Sequence, residues 1–157
     1  MNLRVISIFV LAVLAAPSYS YGEGLAFYLV KESAQATNAS TTLELENTPI
    51  FTQTDIISYS LTNQSMMLTK SGMKKLNSVG IGSSFTACVN KKPIYSGKIW
   101  SPVRDAGCRE IVLMVPPDGS AKVDLLAGYP DRSFFTGDDQ RSNKSIVDAL
   151  RASGKIR

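Results

Sequence analysis

The sequence predicts an α+β fold: a small mixed or antiparallel sheet with about two helices packed on one face, preceded by a signal peptide. Apolar and polar residues alternate at positions 57–61 and 85–89, as expected of half-buried strands. Apolar residues recur at helical spacing over Lys70–Asn77. A second helical segment begins near Ser142 and ends at Gly154, a residue suited to a left-handed cap.

Residues 1–20 have the form of a signal peptide. Arg4 supplies a positive charge, and residues 5–16 form an apolar run that is shorter than the roughly 20 residues of a membrane span. Ser18 and Ser20 are small residues at the preferred positions, so we expect cleavage after Ser20, with Ser18 and Ala16 as alternative sites. The alternative is an uncleaved anchor helix. Cleavage leaves residues 21–157 as one periplasmic or secreted domain without a stable membrane span.

The other elements follow from local patterns. Strands are expected at residues 25–30, 43–45, 57–61 and 66–68. A polar, flexible insert is expected at 33–42 and one helical turn at 52–56. The apolar run at 111–115 predicts a central strand that stops at Pro116, whereas residues 120–139 are punctuated by Gly, Pro and Asp and predict no regular element.

Thr69 precedes the predicted helix at Lys70–Asn77, where its hydroxyl can accept a hydrogen bond from a first-turn N–H. Met73 and Leu76 define the buried side of this helix. Gly72 weakens it by up to ~1 kcal/mol relative to alanine. A hairpin follows, with strands at 85–89 and 93–100 and a turn at 90–92.

The helix and the hairpin carry a resemblance to a known family. The matching residues are Leu68, Thr69, Gly72, Lys74, Lys75 and Leu76 in the helix, and Gly82, Ala87, Val89, Asn90, Ile94, Tyr95 and Ser96 in the hairpin. Their order resembles the head part of the large periplasmic domain of SecD- and SecF-type export subunits. The resemblance is strongest over residues 49–102 and weaker over 111–155. Lys91 stands where the family has a turn glycine, and no run matches the family's membrane helices.

The resemblance implies a stand-alone SecD-head-like domain that binds a protein or peptide partner in the bacterial envelope. It implies a non-enzymatic accessory role in protein export. The implied mechanism is transient capture of an extended chain by a sheet edge that accepts an added strand, because main-chain hydrogen bonds suit many sequences.

Cys88 and Cys108 are the two cysteines of the chain. In an oxidising compartment two cysteines most simply pair, so we expect a disulfide between them. The alternative is two separate buried thiols.

The composition of the chain argues against several classes of partner and catalytic site. The net charge is +4, and the basic residues are scattered, so nucleic acid is not expected as a partner. The chain has no histidine, which excludes a Ser-His-Asp triad and a histidine-based zinc site. No cofactor or metal is expected.

Ser71 and Lys74 support the alternative function. They spell the S-x-x-K motif of penicillin-recognising enzymes, in which serine attacks and lysine assists proton transfer. A small cell-envelope hydrolase with this Ser-Lys pair is therefore the second hypothesis, although no S-D-N motif follows.

Tyr95, Trp100 and Arg104 are the candidate partner contacts. Tyr95 and Trp100 are five residues apart and therefore lie on opposite faces of a regular strand. Exposed tryptophan and arginine are typical binding anchors, whereas packing of Trp100 in the core or a loop is the simpler interpretation.

Overall fold

The structure is a computed structural model that describes residues 24–31 and 44–157. The predicted signal peptide, its cleavage after Ser20 and the predicted polar insert lie outside these residues. The described strands are β1 (Leu25–Val30), β2 (Leu45–Thr52), β3 (Ile56–Ser60), β4 (Ser65–Leu68), β5 (Ser84–Val89), β6 (Lys92–Trp100), β7 (Cys108–Met114) and β8 (Lys122–Tyr129). The α-helices are α1 (Lys70–Asn77) and α2 (Lys144–Ala152), and one-turn 3₁₀ helices lie at Gln53–Asp55 and Arg132–Phe134.

The eight described strands form one mixed sheet in the order β2-β1-β5-β6-β7-β8-β4-β3. β6 and β7 are parallel, and every other neighbouring pair is antiparallel. The mixed sheet and two α-helices confirm the predicted α+β class, with more strands than a small sheet implies.

The sheet must curl strongly, because its two edge strands are consecutive in the chain. β2 ends at Thr52 and β3 begins at Ile56, with the 3₁₀ turn between them. Four Cα–Cα steps span at most about 15 Å, whereas the edges of a flat eight-stranded sheet lie roughly 33 Å apart. The adjoining ends of β2 and β3 therefore approach each other, and one face of the sheet becomes a concave interior.

The main hydrophobic core fills this interior. Alternate strand residues point into it, for example Phe85 and Ala87 of β5, and Phe27 of β1 stacks on Phe51 of β2 with ring centroids 4.6 Å apart. Both helices contribute to the same core through Met73, Leu76, Ile146 and Leu150. Each such side chain stabilises the fold by about 1.5–3 kcal/mol relative to exposure.

A smaller cluster covers part of the outer face of the sheet. It contains Trp100, Cys108, Val112 and Met114, all buried. Because β6 and β7 are parallel, the connection at residues 101–107 must run back along the sheet between them. Its Arg104 guanidinium lies 4.6 Å from the centre of the Trp100 ring, so this connection forms part of the cover.

The expected disulfide is wrong. Cys88 and Cys108 are both buried free thiols. Cys88 lies on β5 and Cys108 on β7, with β6 between them. Two strand spacings separate their backbones by roughly 9.5 Å, whereas a disulfide needs Cα atoms within about 7 Å. The strand order therefore keeps the two thiols apart.

Candidate functional site

Helix α1 is anchored at its N-terminus. The Thr69 hydroxyl accepts a hydrogen bond from the Gly72 N–H at 3.0 Å, which confirms the predicted cap. The Thr69 N–H donates to the Asp55 carbonyl oxygen at 2.8 Å. Asp55 belongs to the 3₁₀ turn between β2 and β3, so the start of α1 is tied to the point where the sheet edges approach.

The buried Asp55 carboxylate holds α1 from the side as well. It accepts a hydrogen bond from the Thr52 N–H at 3.1 Å and lies 2.9 Å from Lys75 Nζ. A Cβ on Gly72 would lie 2.9 Å from the Asp55 Cβ, closer than real Cβ contacts allow. Glycine is therefore required where α1 crosses Asp55, a role that the sequence alone did not reveal.

Lys74 is the helix-motif residue whose side chain neither packs in the core nor pairs with another described residue. The others are Leu68 and Leu76 in the core, the Thr69 cap, the close-packed Gly72 and the Asp55 partner Lys75. The Lys74 side chain is exposed, and it makes no salt bridge among the described residues. An exposed residue that the fold does not need is a candidate for contact with a partner.

Lys74 borders a groove of about 790 Å³ between α1 and one end of the sheet, which we call the α1 groove. Ile57, Leu68 and Ala121 form its sheet side, at the ends of the neighbouring strands β3, β4 and β8. Its helix side is formed by Lys70, Met73, Lys74 and Asn77. The α1 groove thus combines an apolar floor with a positively charged rim.

Ile57 makes the α1 groove apolar at its open side. The pairing of β3 with β4 shifts register between Ile56 and Ser58, so Ile57 is an extra residue in a bulge. Its side chain is 49% exposed, which is unusual for isoleucine in a strand. Bulges redirect side chains near functional sites, and here the bulge turns an apolar side chain toward the α1 groove.

The three candidate contact residues are dispersed. Tyr95 lies in the main core, where its ring meets Phe85 edge-on at 6.2 Å and burial raises the pKa of its hydroxyl well above the usual value. Trp100 is buried in the outer cluster, so the two lie on opposite faces of β6, as predicted. The Trp100 Nε1 has no hydrogen-bond partner in the described part of the chain.

Arg104 is the member of this set that reaches solvent. Its Nη1 donates to the Ile81 carbonyl oxygen at 3.3 Å, and its guanidinium covers Trp100. The neighbouring Val103 is 81% exposed. The surface near Trp100 is therefore formed by the connection above it and not by the indole itself.

Ser71 and Lys74 do not form the contact that a Ser-Lys mechanism requires. Both side chains are exposed on α1, and the described hydrogen bonds include none between them. Activation of a serine needs its base within hydrogen-bond reach, and a catalytic lysine is normally desolvated. The described geometry therefore gives no support to a Ser-Lys pair at these two positions.

Asp139 and Arg141 form a charged cluster at the border of the core near Tyr59. The sequence analysis did not predict it. The Arg141 Nη2 lies 2.7 Å from Asp139 Oδ2, and Arg141 Nη1 donates to the Leu125 carbonyl oxygen at 2.6 Å. The hydrogen bonds from Arg141 hold the pKa of Asp139 well below its usual value, and Asp139 raises the pKa of Arg141. Burial raises the pKa of Tyr59. In the sequence, the only indication of this ion pair is that Asp139 and Arg141 are two residues apart.

The sheet edges offer little free backbone. β2 has one described neighbour, β1, but Pro49 interrupts its N–H row and its exposed half carries polar residues such as Glu46. Both features protect edges against strand addition. The edge of β3 is partly covered, because the Tyr59 N–H donates to Lys155 O at 2.7 Å and its carbonyl accepts from the Arg157 N–H at 3.0 Å.

Residues 24–31 and 44–157 show no sign of two other kinds of site, a membrane-spanning helix or a metal centre. No helix there is long and apolar enough to cross a membrane. No group of three or more cysteine and carboxylate side chains there lies close enough to hold a metal ion. In comparisons with known proteins, no family model, curated protein or solved structure matches the chain. The resemblance to the SecD-type head therefore remains a prediction from the motif residues.

Proposed function

We propose that this protein is an exported, non-enzymatic module of the bacterial envelope that binds an extended protein or peptide segment. The observation that carries the proposal is the α1 groove, with its apolar floor and a rim of lysines that form no ion pair within the described part of the chain. Clefts that combine an apolar floor with a few polar groups are the usual form of binding sites. Export and the accessory role in protein export rest on the signal-like residues 1–20 and on the resemblance.

The α1 groove is a better site for the segment than a sheet edge. Strand addition needs a row of free backbone groups. Pro49 on β2 and the C-terminal pairing on β3 reduce that row at both edges. The α1 groove instead offers side-chain contacts on two sides, from the sheet and from α1.

The test compares two tryptophan substitutions on an array of random peptides. Ala121→Trp fills the α1 groove from its sheet side, whereas Val103→Trp adds the same side chain to the exposed connection near Arg104. We expect the wild-type protein and Val103→Trp to bind the same peptides and Ala121→Trp to lose them. Circular dichroism verifies that both variants are folded.

Two results would contradict the assignment of the site to the α1 groove. One is an unchanged set of bound peptides for Ala121→Trp, which would place any binding elsewhere. The other is loss of binding only in Val103→Trp, which would transfer the site to the surface around Arg104. A wild-type protein that binds no peptide would contradict the proposed function as a whole.

A further inference from the structure

The α1 groove carries a charge pattern that points to the chemistry of its ligand. Lys70 and Lys74 are one helical turn apart on α1 and both line the α1 groove. Neither has a salt-bridge partner among the described residues, whereas Lys75 pairs with Asp55. Two like charges one helical turn apart repel each other, so an anionic ligand bound between them would relieve that repulsion.

Among residues 24–31 and 44–157, no carboxylate lines the α1 groove beside these lysines. Asp118 precedes the lining residue Gly119, but its carboxylate accepts a hydrogen bond from the Ser120 N–H at 2.9 Å within its own turn. Asp124 pairs with Lys122 at 3.1 Å. Neither Asp118 nor Asp124 forms an ion pair with Lys70 or Lys74 among the described residues, so both ammonium groups can pair with a ligand.

The spacing of Lys70 and Lys74 along α1 matches the spacing of alternate residues in an extended chain. Residues four apart on a helix are separated by about 6 Å along its axis. Alternate residues of an extended chain are separated by roughly 6.8 Å and point to the same side. One side of an extended peptide can thus present two side chains to Lys70 and Lys74, while the residue between them points to the opposite side.

We propose that the α1 groove selects an extended peptide segment with an apolar residue between two acidic residues. The two carboxylates bind the ammonium groups of Lys70 and Lys74, and the apolar side chain packs on Ile57 and Ala121 across the α1 groove. This inference rests on the proposed function and names its ligand class. In this proposal the exposed Lys74 has a binding role.

The experiment measures affinities by fluorescence anisotropy with four labelled peptides of one length. They contain Glu-Leu-Glu, Gln-Leu-Gln, Glu-Ser-Glu or Lys-Leu-Lys within a Gly-Ser background. We expect Glu-Leu-Glu to bind best and Gln-Leu-Gln to bind about 10-fold more weakly, because two exposed charge pairs of about 0.7 kcal/mol each are lost. The difference should shrink at high salt, since the pairs are exposed.

Lysine variants test whether the preference for the acidic peptide arises at the α1 groove. Lys70→Ala and Lys74→Ala should each weaken Glu-Leu-Glu binding about 3-fold and leave Gln-Leu-Gln binding unchanged. Lys92→Ala is the matched control, because Lys92 is an exposed lysine outside the α1 groove. It should bind all four peptides as the wild type does.

The outcomes separate the two proposals. Equal binding of Glu-Leu-Glu and Gln-Leu-Gln, or full affinity in Lys74→Ala, would overturn the acidic preference and leave peptide binding in place. Binding of none of the four would overturn the inference, while the random-peptide array independently decides whether the protein binds other peptides. Binding of phosphatidylglycerol vesicles in place of the acidic peptide would also overturn the inference, because the rim would then serve an anionic surface.

Discussion

The two-residue turn between β5 and β6 places a lysine in a strained backbone conformation. Asn90 and Lys91 have φ values of 51° and 64°, the left-handed pair that a two-residue type I′ turn requires. Asparagine tolerates this conformation, whereas lysine is strained there. A glycine at position 91 would relieve the strain, because glycine adopts positive φ without steric cost.

Lys91→Gly should therefore increase the free energy of unfolding by about 1 kcal/mol, the usual strain of a non-glycine residue in this conformation. Urea denaturation measures the change. Lys92→Gly is the control, because Lys92 lies within β6 and glycine weakens a strand. An unchanged or lower stability of Lys91→Gly would mean that the turn is not of this type.

Asp139 stabilises the fold in a pH-dependent way. Asp139→Asn should lower the free energy of unfolding at pH 7 by about 1–3 kcal/mol, since it leaves the mostly buried Arg141 without its carboxylate. Because the folded-state pKa lies below the ordinary 3.8, the contribution is complete above that value and is lost as pH falls through the folded-state pKa.

Unfolding of the wild type and Asp139→Asn between pH 7 and pH 2 tests this dependence. The stability difference should be constant at neutral pH and shrink below about pH 4. Asp138→Asn is the control, because Asp138 is exposed and forms no salt bridge among the described residues. A difference that grows on acidification would contradict the role assigned to Asp139.

At the scale of elements, the local patterns were reliable where a helix or hairpin formed from neighbouring residues. α1 and β1 have the predicted bounds, and Gly154 is left-handed at φ 67° as expected of a cap. β8 was missed because its buried residues Val123, Leu125 and Ala127 alternate within a segment rich in turn residues. The strand predicted at residues 43–45 overlaps β2 only at Leu45, because the polar residues and Pro49 of β2 give no alternating apolar pattern.

Helix propensity alone predicts the wrong sign for the effect of Gly72→Ala on stability. Packing between α1 and the 3₁₀ turn determines that sign. Propensity favours alanine over Gly72 by up to ~1 kcal/mol. The added Cβ would collide with buried Asp55, and such overpacking typically destabilises by 1–3 kcal/mol. Gly72→Ala should therefore lower the free energy of unfolding by about 1 kcal/mol net.

Thermal and urea unfolding measure this change. Gly80→Ala is the matched control, because its Cβ would meet only Ser83 Oγ, at an ordinary 3.5 Å. We expect Gly80→Ala to change stability by less than about 0.5 kcal/mol. A stabilising Gly72→Ala would show that α1 does not press against the 3₁₀ turn.

At the scale of the whole molecule, strand order could not be predicted from the sequence. The sheet places β5 and β7 on either side of β6, and the edge strands β2 and β3 are joined by one short turn. These long-range pairings depend on how all eight strands share one core. For the same reason the α1 groove was not foreseen, since Ile57, Leu68 and Ala121 meet only through the order β3-β4-β8.

The separation of Cys88 and Cys108 is a direct consequence of that order. The protein purified without reductant should show two free thiols in an Ellman assay in denaturant, and a reductant should leave its melting temperature unchanged. Buried thiols should react only after unfolding. Detection of no thiol in the monomer would mean that the two cysteines are paired and that the strand order is wrong.

The central claim is that the α1 groove is the peptide site, and an NMR titration of methyl groups tests it most directly. The wild-type protein is titrated with the Glu-Leu-Glu peptide while the methyl signals of Ile57, Met73, Ala121 and Val103 are followed. We expect the first three to shift, because they line the α1 groove, and Val103 to stay unchanged. Shifts confined to Val103 and its neighbours, or no shift at all, would contradict the account.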